Sequence, residues 1–199
     1  MIERICPKCK VPMEGDKCIK PSCGCQTKMS STIYWCETCD IPIFENVCSI
    51  CGHEGKYIAT DMRPVFPEEN MLISILLADD PFKYQKNSVW YGSGVYIVDG
   101  KKVRLSVTKL NTLPIAEIRK IKQIYDNSVE HIDYKYFNQY VDRFKEANAD
   151  RYNFITEEAV SFVQQYMKRY SVEDMMVSFS GGKDSTVTSH IVNRALGTY

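Results

Sequence analysis

Apolar residues recur at three- and four-residue intervals through much of the second half of the chain. Ile115, Ile118, Ile121, Lys122 and Tyr125 follow this spacing, then Tyr136, Phe137, Tyr140, Val141 and Phe144, then Ala159, Val160, Val163, Tyr166, Met167 and Tyr170. That period predicts helices within 114–170, each with an apolar stripe turned to a core. Thr156, followed by Glu157 and Glu158, reads as an N-cap with carboxylates at the positive end of the helix dipole. Upstream the period changes to two. Val103, Leu105 and Val107 alternate with Lys102, Arg104, Ser106 and Thr108. They follow Asp99-Gly100, a turn pair that predicts a β-hairpin with one apolar face and one polar, partly basic face. The run Met71–Ala78 is apolar apart from Ser74 and fits a buried strand or a short helix equally. Pro64 and Pro67 before it mark an extended linker or a helix entry. Gly92-Ser-Gly94, between strand-like runs, reads as a bulge or tight turn. Met175–Phe179 reads as a strand, and a helix is predicted through His190, Ile191 and Val192.

Composition narrows the picture. The 199 residues carry 25 Lys plus Arg against 25 Asp plus Glu, which excludes a wholly basic nucleic-acid arm or an acidic tail. A 44% hydrophobic and 25% charged chain is a folded protein. No apolar run approaches the ~20 residues of a membrane helix. No apolar leader follows Met1, so the expectation is a cytoplasmic protein with no membrane partner.

All nine cysteines lie between Cys6 and Cys51. Cys6-Pro-Lys-Cys9-Lys-Val-Pro12, then Cys18 and Cys23-Gly24, is repeated as Cys36-Glu-Thr-Cys39-Asp-Ile-Pro42, then Cys48 and Cys51-Gly52. The unit is duplicated at a period of about 30 residues. Each copy offers two cysteine pairs, the spacing at which two turns can aim four thiolates at one tetrahedral ion. Cys6, Cys9, Cys18 and Cys23 are therefore assigned to one structural zinc, and Cys36, Cys39, Cys48 and Cys51 to another. Cys25 is left over and is an alternative to Cys23. Four thiolates also suit iron. Four protein ligands leave no open position, so the sites are expected to hold the fold and catalyse nothing. A filled site carries two negative charges, which weighs against phosphate binding at this end.

The chemistry-bearing loop is Ser180-Gly181-Gly182-Lys183-Asp184-Ser185-Thr186, between the predicted strand and the last helix. Two glycines let main chain approach a phosphate, and the first N–H groups of a helix face an anion. Ser180, Ser185 and Thr186 offer hydroxyls, Lys183 offers charge, and Asp184 suits Mg²⁺ or loop fixation. It is not a Walker A loop, because Val177 and Asp184 stand where glycine and Ser/Thr are required. Tyr91, Tyr96, Lys101, Lys102 and Arg104 could face nucleic acid, although an ordinary solvated strand face explains them as well.

Ser180-Gly-Gly-Lys-Asp-Ser185-Thr resembles the SGGxDS signature of the PP-loop, or ATP-pyrophosphatase, superfamily. Val177–Val187 is most similar to its phosphoadenosine phosphosulfate reductase branch, some members of which carry N-terminal zinc ribbons. The resemblance implies that Ser180–Thr186 binds ATP or phosphoadenylyl sulfate, with Mg²⁺, for adenylation or sulfonucleotide reduction in sulfur metabolism. A tRNA-thiolation enzyme is a rival within that superfamily. A non-enzymatic zinc-ribbon module, meeting RNA or protein through the ribbons and the β-rich domain, is the other alternative. The expected fold is a multi-part α+β chain: tandem Cys₄ zinc ribbons over 1–56, a β-rich domain with a hairpin over 57–113, a helical connector over 114–170, and over 171–199 the first strand–loop–helix of a Rossmann-like PP-loop domain. Twenty-nine residues cannot close such a sheet, and no cysteine follows Cys51. The expectation is an N-terminal piece of a longer protein that holds nucleotide weakly by itself and does not turn over.

Overall fold

The computed structural model describes residues 4–9, 11–13 and 15–198. The fold is mixed α+β and divides into two compact units, Met1–Asn148 and Ala149–Tyr199. The division falls inside the helical stretch 114–170.

The first unit opens with two small antiparallel sheets. β1 (Arg4–Ile5), β2 (Pro12–Met13) and β3 (Lys28–Met29) pair in the order β2-β1-β3. β4 (Ile33–Cys36), β5 (Ile41–Ile43) and β6 (Lys56–Ala59) pair as β5-β4-β6. The duplicated sequence is thus a duplicated topology: a hairpin carrying the first CxxC, and a third strand returning to the first. Lone bridges, Lys17↔Gln26 and Val47↔Glu54, close the second cysteine turn in both copies. Pro12 and Pro42 fall on the outer strand of each sheet, where a missing N–H breaks no interior ladder.

β7 (Arg63–Pro64), β8 (Val89–Gly92), β9 (Val95–Val98) and β10 (Lys101–Val103) form a third sheet, ordered β10-β9-β8-β7. The undecided apolar run belongs to helix α1 (Pro67–Leu76), with Pro67 at its start and Glu68 and Glu69 in its first turn. Two-residue turns with positive φ at both positions, Ser93-Gly94 and Asp99-Gly100, join β8 to β9 and β9 to β10. The expected alternation through Val107 ends early. β10 stops at Val103, and the chain turns into α2 (Val107–Asn111) as the Ser106 carbonyl accepts the Leu110 N–H.

The core of this unit is shared. Ile33, Trp35, Ile58 and Ala59 of the second ribbon pack with Trp90 and Ile97 of the third sheet, and Phe144 lies against them. Phe144 comes from α4 (Lys135–Ala147), which follows α3 (Ile115–Ser128). Its ring sits 5.0 Å from Trp90 and 6.0 Å from Phe44, while Phe137 stacks on Phe66 at 5.1 Å. The aromatic stripe of α4 is therefore half-buried against the second ribbon and β8. By contrast Ile115 and Ile118 of α3 are exposed. The buried cluster of the first ribbon is Cys6 and Cys18, with Cys9, Cys23 and Cys25 against it.

The second unit pairs α5 (Ala149–Met167) with α6 (Lys183–Leu196). Thr156 is not an N-cap. The helix already begins at Ala149, and Thr156 is buried within it, its hydroxyl donating to the Tyr152 carbonyl at 2.7 Å. Ala159, Val160, Val163 and Met167 are half-buried, while Tyr166 and Tyr170 are exposed. The expected strand Met175–Phe179 has no strand partner among the described residues, and Met176 is 91% exposed. A strand exists only through a neighbour that takes its N–H and C=O groups. No helix among the described residues is long and apolar enough to cross a membrane.

Candidate metal centres and phosphate loop

Cys6 and Cys9 lie at the tip of the β1–β2 hairpin, and Cys36 and Cys39 at the tip of the β4–β5 hairpin. Cys18 with Cys23, and Cys48 with Cys51, sit on the facing turns. In each copy the four sulfurs lie within 4.8 Å of one another. A tetrahedral ion with bonds of ~2.3 Å to four sulfurs sets them about 3.8 Å apart. The observed separations are 3.6 Å for Cys6–Cys23 and 3.9 Å for Cys18–Cys9, then 3.4 Å for Cys36–Cys51 and 3.9 Å for Cys48–Cys39. These distances exclude disulfides, whose S–S bond is about 2.05 Å. Both sets therefore fit a four-coordinate thiophilic metal, with every position filled by protein. Cys25 stands beside the first set and outside it.

The turns also solvate the sulfurs. The Cys9 N–H donates to Cys6 Sγ at 3.3 Å. The Cys25 N–H draws the Cys23 thiol down to about 6, and the His53 N–H does the same for Cys51. Cys9 is pushed up to about 12, first by its sulfur neighbour Cys23, and burial pushes Cys39 up. In the metal-free state each quartet thus divides into a thiol that ionises readily and one that holds its proton. Metal binding replaces those held protons. Gly24 and Gly52 follow the last cysteines with φ of +55° and +74°, the backbone turn that glycine adopts without strain.

The second centre is tied to the helices in a way the cysteine spacing does not reveal. Asn148, buried at the end of α4, accepts the Phe44 N–H and donates to the Pro42 and Phe144 carbonyls. Ser49, between the last two ligands, donates to the Ala147 carbonyl at 3.0 Å. Arg143 Nη1 reaches the Cys39 carbonyl at 3.5 Å. The helical period placed α4, but nothing in it singled out Asn148 as the anchor.

The Ser180–Thr186 residues meet at the start of α6. Gly181 adopts φ +76°, and Gly182 caps the helix in an extended conformation. Ser180 Oγ lies 3.2 Å from Ser185 Oγ. Ser185 and Thr186 both donate their hydroxyls to the Gly182 carbonyl at 2.9 Å, so those hydrogens are engaged within the loop. Lys183 and Asp184 open the helix, exposed.

No family model, curated protein or solved structure matches this chain. The functional reading therefore rests on the two cysteine quartets and on the loop before α6. Of the residues that could face nucleic acid, Lys101, Lys102 and Arg104 are exposed, and Tyr91 and Tyr96 pack on each other at 4.9 Å. Tyr96 donates to Glu69 at 2.9 Å, and Arg63 packs over Tyr91 while pairing with Glu69.

Proposed function

We propose that this protein binds the phosphates of an adenine nucleotide on Ser180–Thr186, as a PP-loop protein of the phosphoadenosine phosphosulfate reductase type, and that both cysteine quartets hold structural zinc. The single observation that supports the nucleotide reading is the bend at Gly181. Its positive φ turns the main chain so that Gly182 becomes the first cap of a long helix. The unpartnered first-turn N–H groups of such a helix attract an anion. Lys183 adds charge at that end, and Asp184 is the carboxylate that would hold Mg²⁺ between phosphate oxygens. The Ser180 and Ser185 hydroxyls lie at the same mouth. Sulfonucleotide reduction or substrate adenylation is the chemistry consistent with such a loop. In either case the loop's own part is to bind and orient phosphate.

Amide chemical shifts under titration with Mg·ATP and with phosphoadenylyl sulfate test the reading. The expected result is saturable shifts at Gly181–Ser185, weak in affinity and reduced by Lys183→Gln. Absence of saturable shifts in that loop with both ligands overturns it.

A further inference from the structure

The two ribbons share a topology but carry opposite charge. Residues 1–30 contain six Lys and Arg against three Asp and Glu; residues 31–60 contain one against four. The difference is concentrated at the metal turns. Aligned thirty positions apart, Pro7, Lys8, Lys10, Lys17 and Lys20 of the first copy stand where the second has Glu37, Thr38, Asp40, Val47 and Ile50. Lys10 lies outside the described residues. Lys8, Lys17 and Lys20 are exposed, and no carboxylate pairs with them among the described residues. The acidic Asp16 is turned to Arg4 instead, at 3.5 Å.

Position explains why these lysines act together. The N–H of Lys8 faces the Cys6 sulfur and the N–H of Lys20 faces the Cys18 sulfur. The two residues therefore occupy equivalent places on the two turns that grip the metal. Lys17 starts the second turn, bridged to Gln26. Between Lys17 and Lys20, Ile19 is 81% exposed, an apolar tip flanked by cations. In the second ribbon the counterparts Thr38, Val47 and Ile50 are exposed but uncharged, and Tyr140 and Ala147 of α4 pack against its cysteine cluster. Of the four sulfurs whose charge would repel phosphate, those of Cys6 and Cys18 are buried and those of Cys9 and Cys23 partly exposed; main-chain N–H groups face Cys6, Cys18 and Cys23, whereas the ammonium groups stand outside the quartet.

We propose that the first ribbon is a nucleic-acid-binding surface, on which Lys8, Lys17 and Lys20 neutralise backbone phosphates around the exposed Ile19. The second ribbon, acidic and packed into the core, takes no part. The surface is independent of the loop before α6.

The test is binding of the zinc-loaded full chain, without ATP, to a labelled single-stranded RNA of about 20 nucleotides between about 50 and 200 mM salt. Each neutralised phosphate contributes about 0.7 to the slope of log K against log salt on single strands. The triple variant Lys8→Gln, Lys17→Gln, Lys20→Gln is expected to flatten the slope by about 2 and to weaken binding about a hundredfold near 0.1 M salt. Lys56→Gln, which removes a cation from the second ribbon, is expected to leave the slope unchanged. Metal content of the triple variant checks that the ribbon remains loaded; if it falls, single Lys8→Gln and Lys20→Gln variants replace it, each expected to weaken binding about fivefold. A slope identical in wild type and lysine variants overturns the proposal. So does polyglutamate binding with the same lysine dependence while RNA does not bind, which would make the partner an acidic protein. Every variant keeps Lys183, so failure here leaves the nucleotide reading standing.

Discussion

Replacing one ligand in each ribbon, Cys9→Ser and Cys39→Ser, separates a ribbon held by its metal from one held by its core. Ile33, Trp35, Ile41, Ile43 and Ile58 are all at least nine-tenths buried in the second ribbon. At roughly 2 kcal/mol for each large apolar side chain removed from water, they contribute on the order of 10 kcal/mol. The buried cluster of the first ribbon is made of its own cysteines. With no apolar core of its own, the ribbon relies on metal binding, about 10–16 kcal/mol in comparable small units, as the main contribution set against the entropy of ordering its backbone. Both tryptophans of the chain, Trp35 and Trp90, lie in the shared core, so intrinsic fluorescence reports only that region. Cys9→Ser is expected to bind one metal per chain. Amide dispersion should disappear over residues 4–30 and trypsin should cut after Lys8, Lys17 and Lys28, with tryptophan emission unchanged and a melting shift below about 2 °C. Cys39→Ser is expected to lower the melting temperature by several degrees while strands β4–β6 keep their amide dispersion. A red shift of the tryptophans in Cys9→Ser, or residues 4–30 that stay dispersed without metal, would refute a first ribbon held by its metal alone.

Two further outcomes follow from named atoms. At pH 7.5 the Cys9, Cys18, Cys36 and Cys39 thiols, all raised above their ordinary value of 9.0, are protonated in the metal-free protein. Loading both sites should therefore release at least four protons per chain, and affinity should fall as pH falls, because protons compete for the sulfurs. Calorimetry in buffers of different ionisation enthalpy measures this, and release of two or fewer contradicts the assignment. Gly100→Ala places a methyl 2.6 Å from Trp35 Nε1 at φ +76°, so strain and overlap add to about 2–4 kcal/mol. Gly94→Ala, at φ +78° with nothing within 4 Å, should cost only about 1–2 kcal/mol. Equal melting shifts for the two would refute the contact with Trp35.

The cysteine quartets were legible because ligand spacing is a short-range property: two turns and a hairpin suffice to bring four sulfurs together. The helices were legible for a similar reason, since the 3.6-residue period is written in each segment. Thr156 misled because its N-cap signature competes with a continuing helix, and a hydroxyl can satisfy itself on the carbonyl four residues earlier. The alternation 103–107 misled because a strand needs a neighbour, and β9 offers one only as far as Val103. Met175–Phe179 shows the same dependence. Its composition favours a strand, but no strand pairs with it among the described residues. The dependence of the second ribbon on α4 was not readable at all, since Asn148 meets Pro42 and Phe44 across about a hundred positions of chain.

The proline shared by both repeats bears on how such small sheets stay single. An outer strand with free N–H and C=O groups is a template for another copy to extend, and six exposed residues of sheet are enough to begin stacking into fibrils. On β5 that route is closed twice. Pro42 has no hydrogen to give, and the carboxamide of Asn148 already occupies the carbonyl of Pro42 and the amide of Phe44. A side chain chosen to end one helix thereby also keeps neighbouring molecules apart.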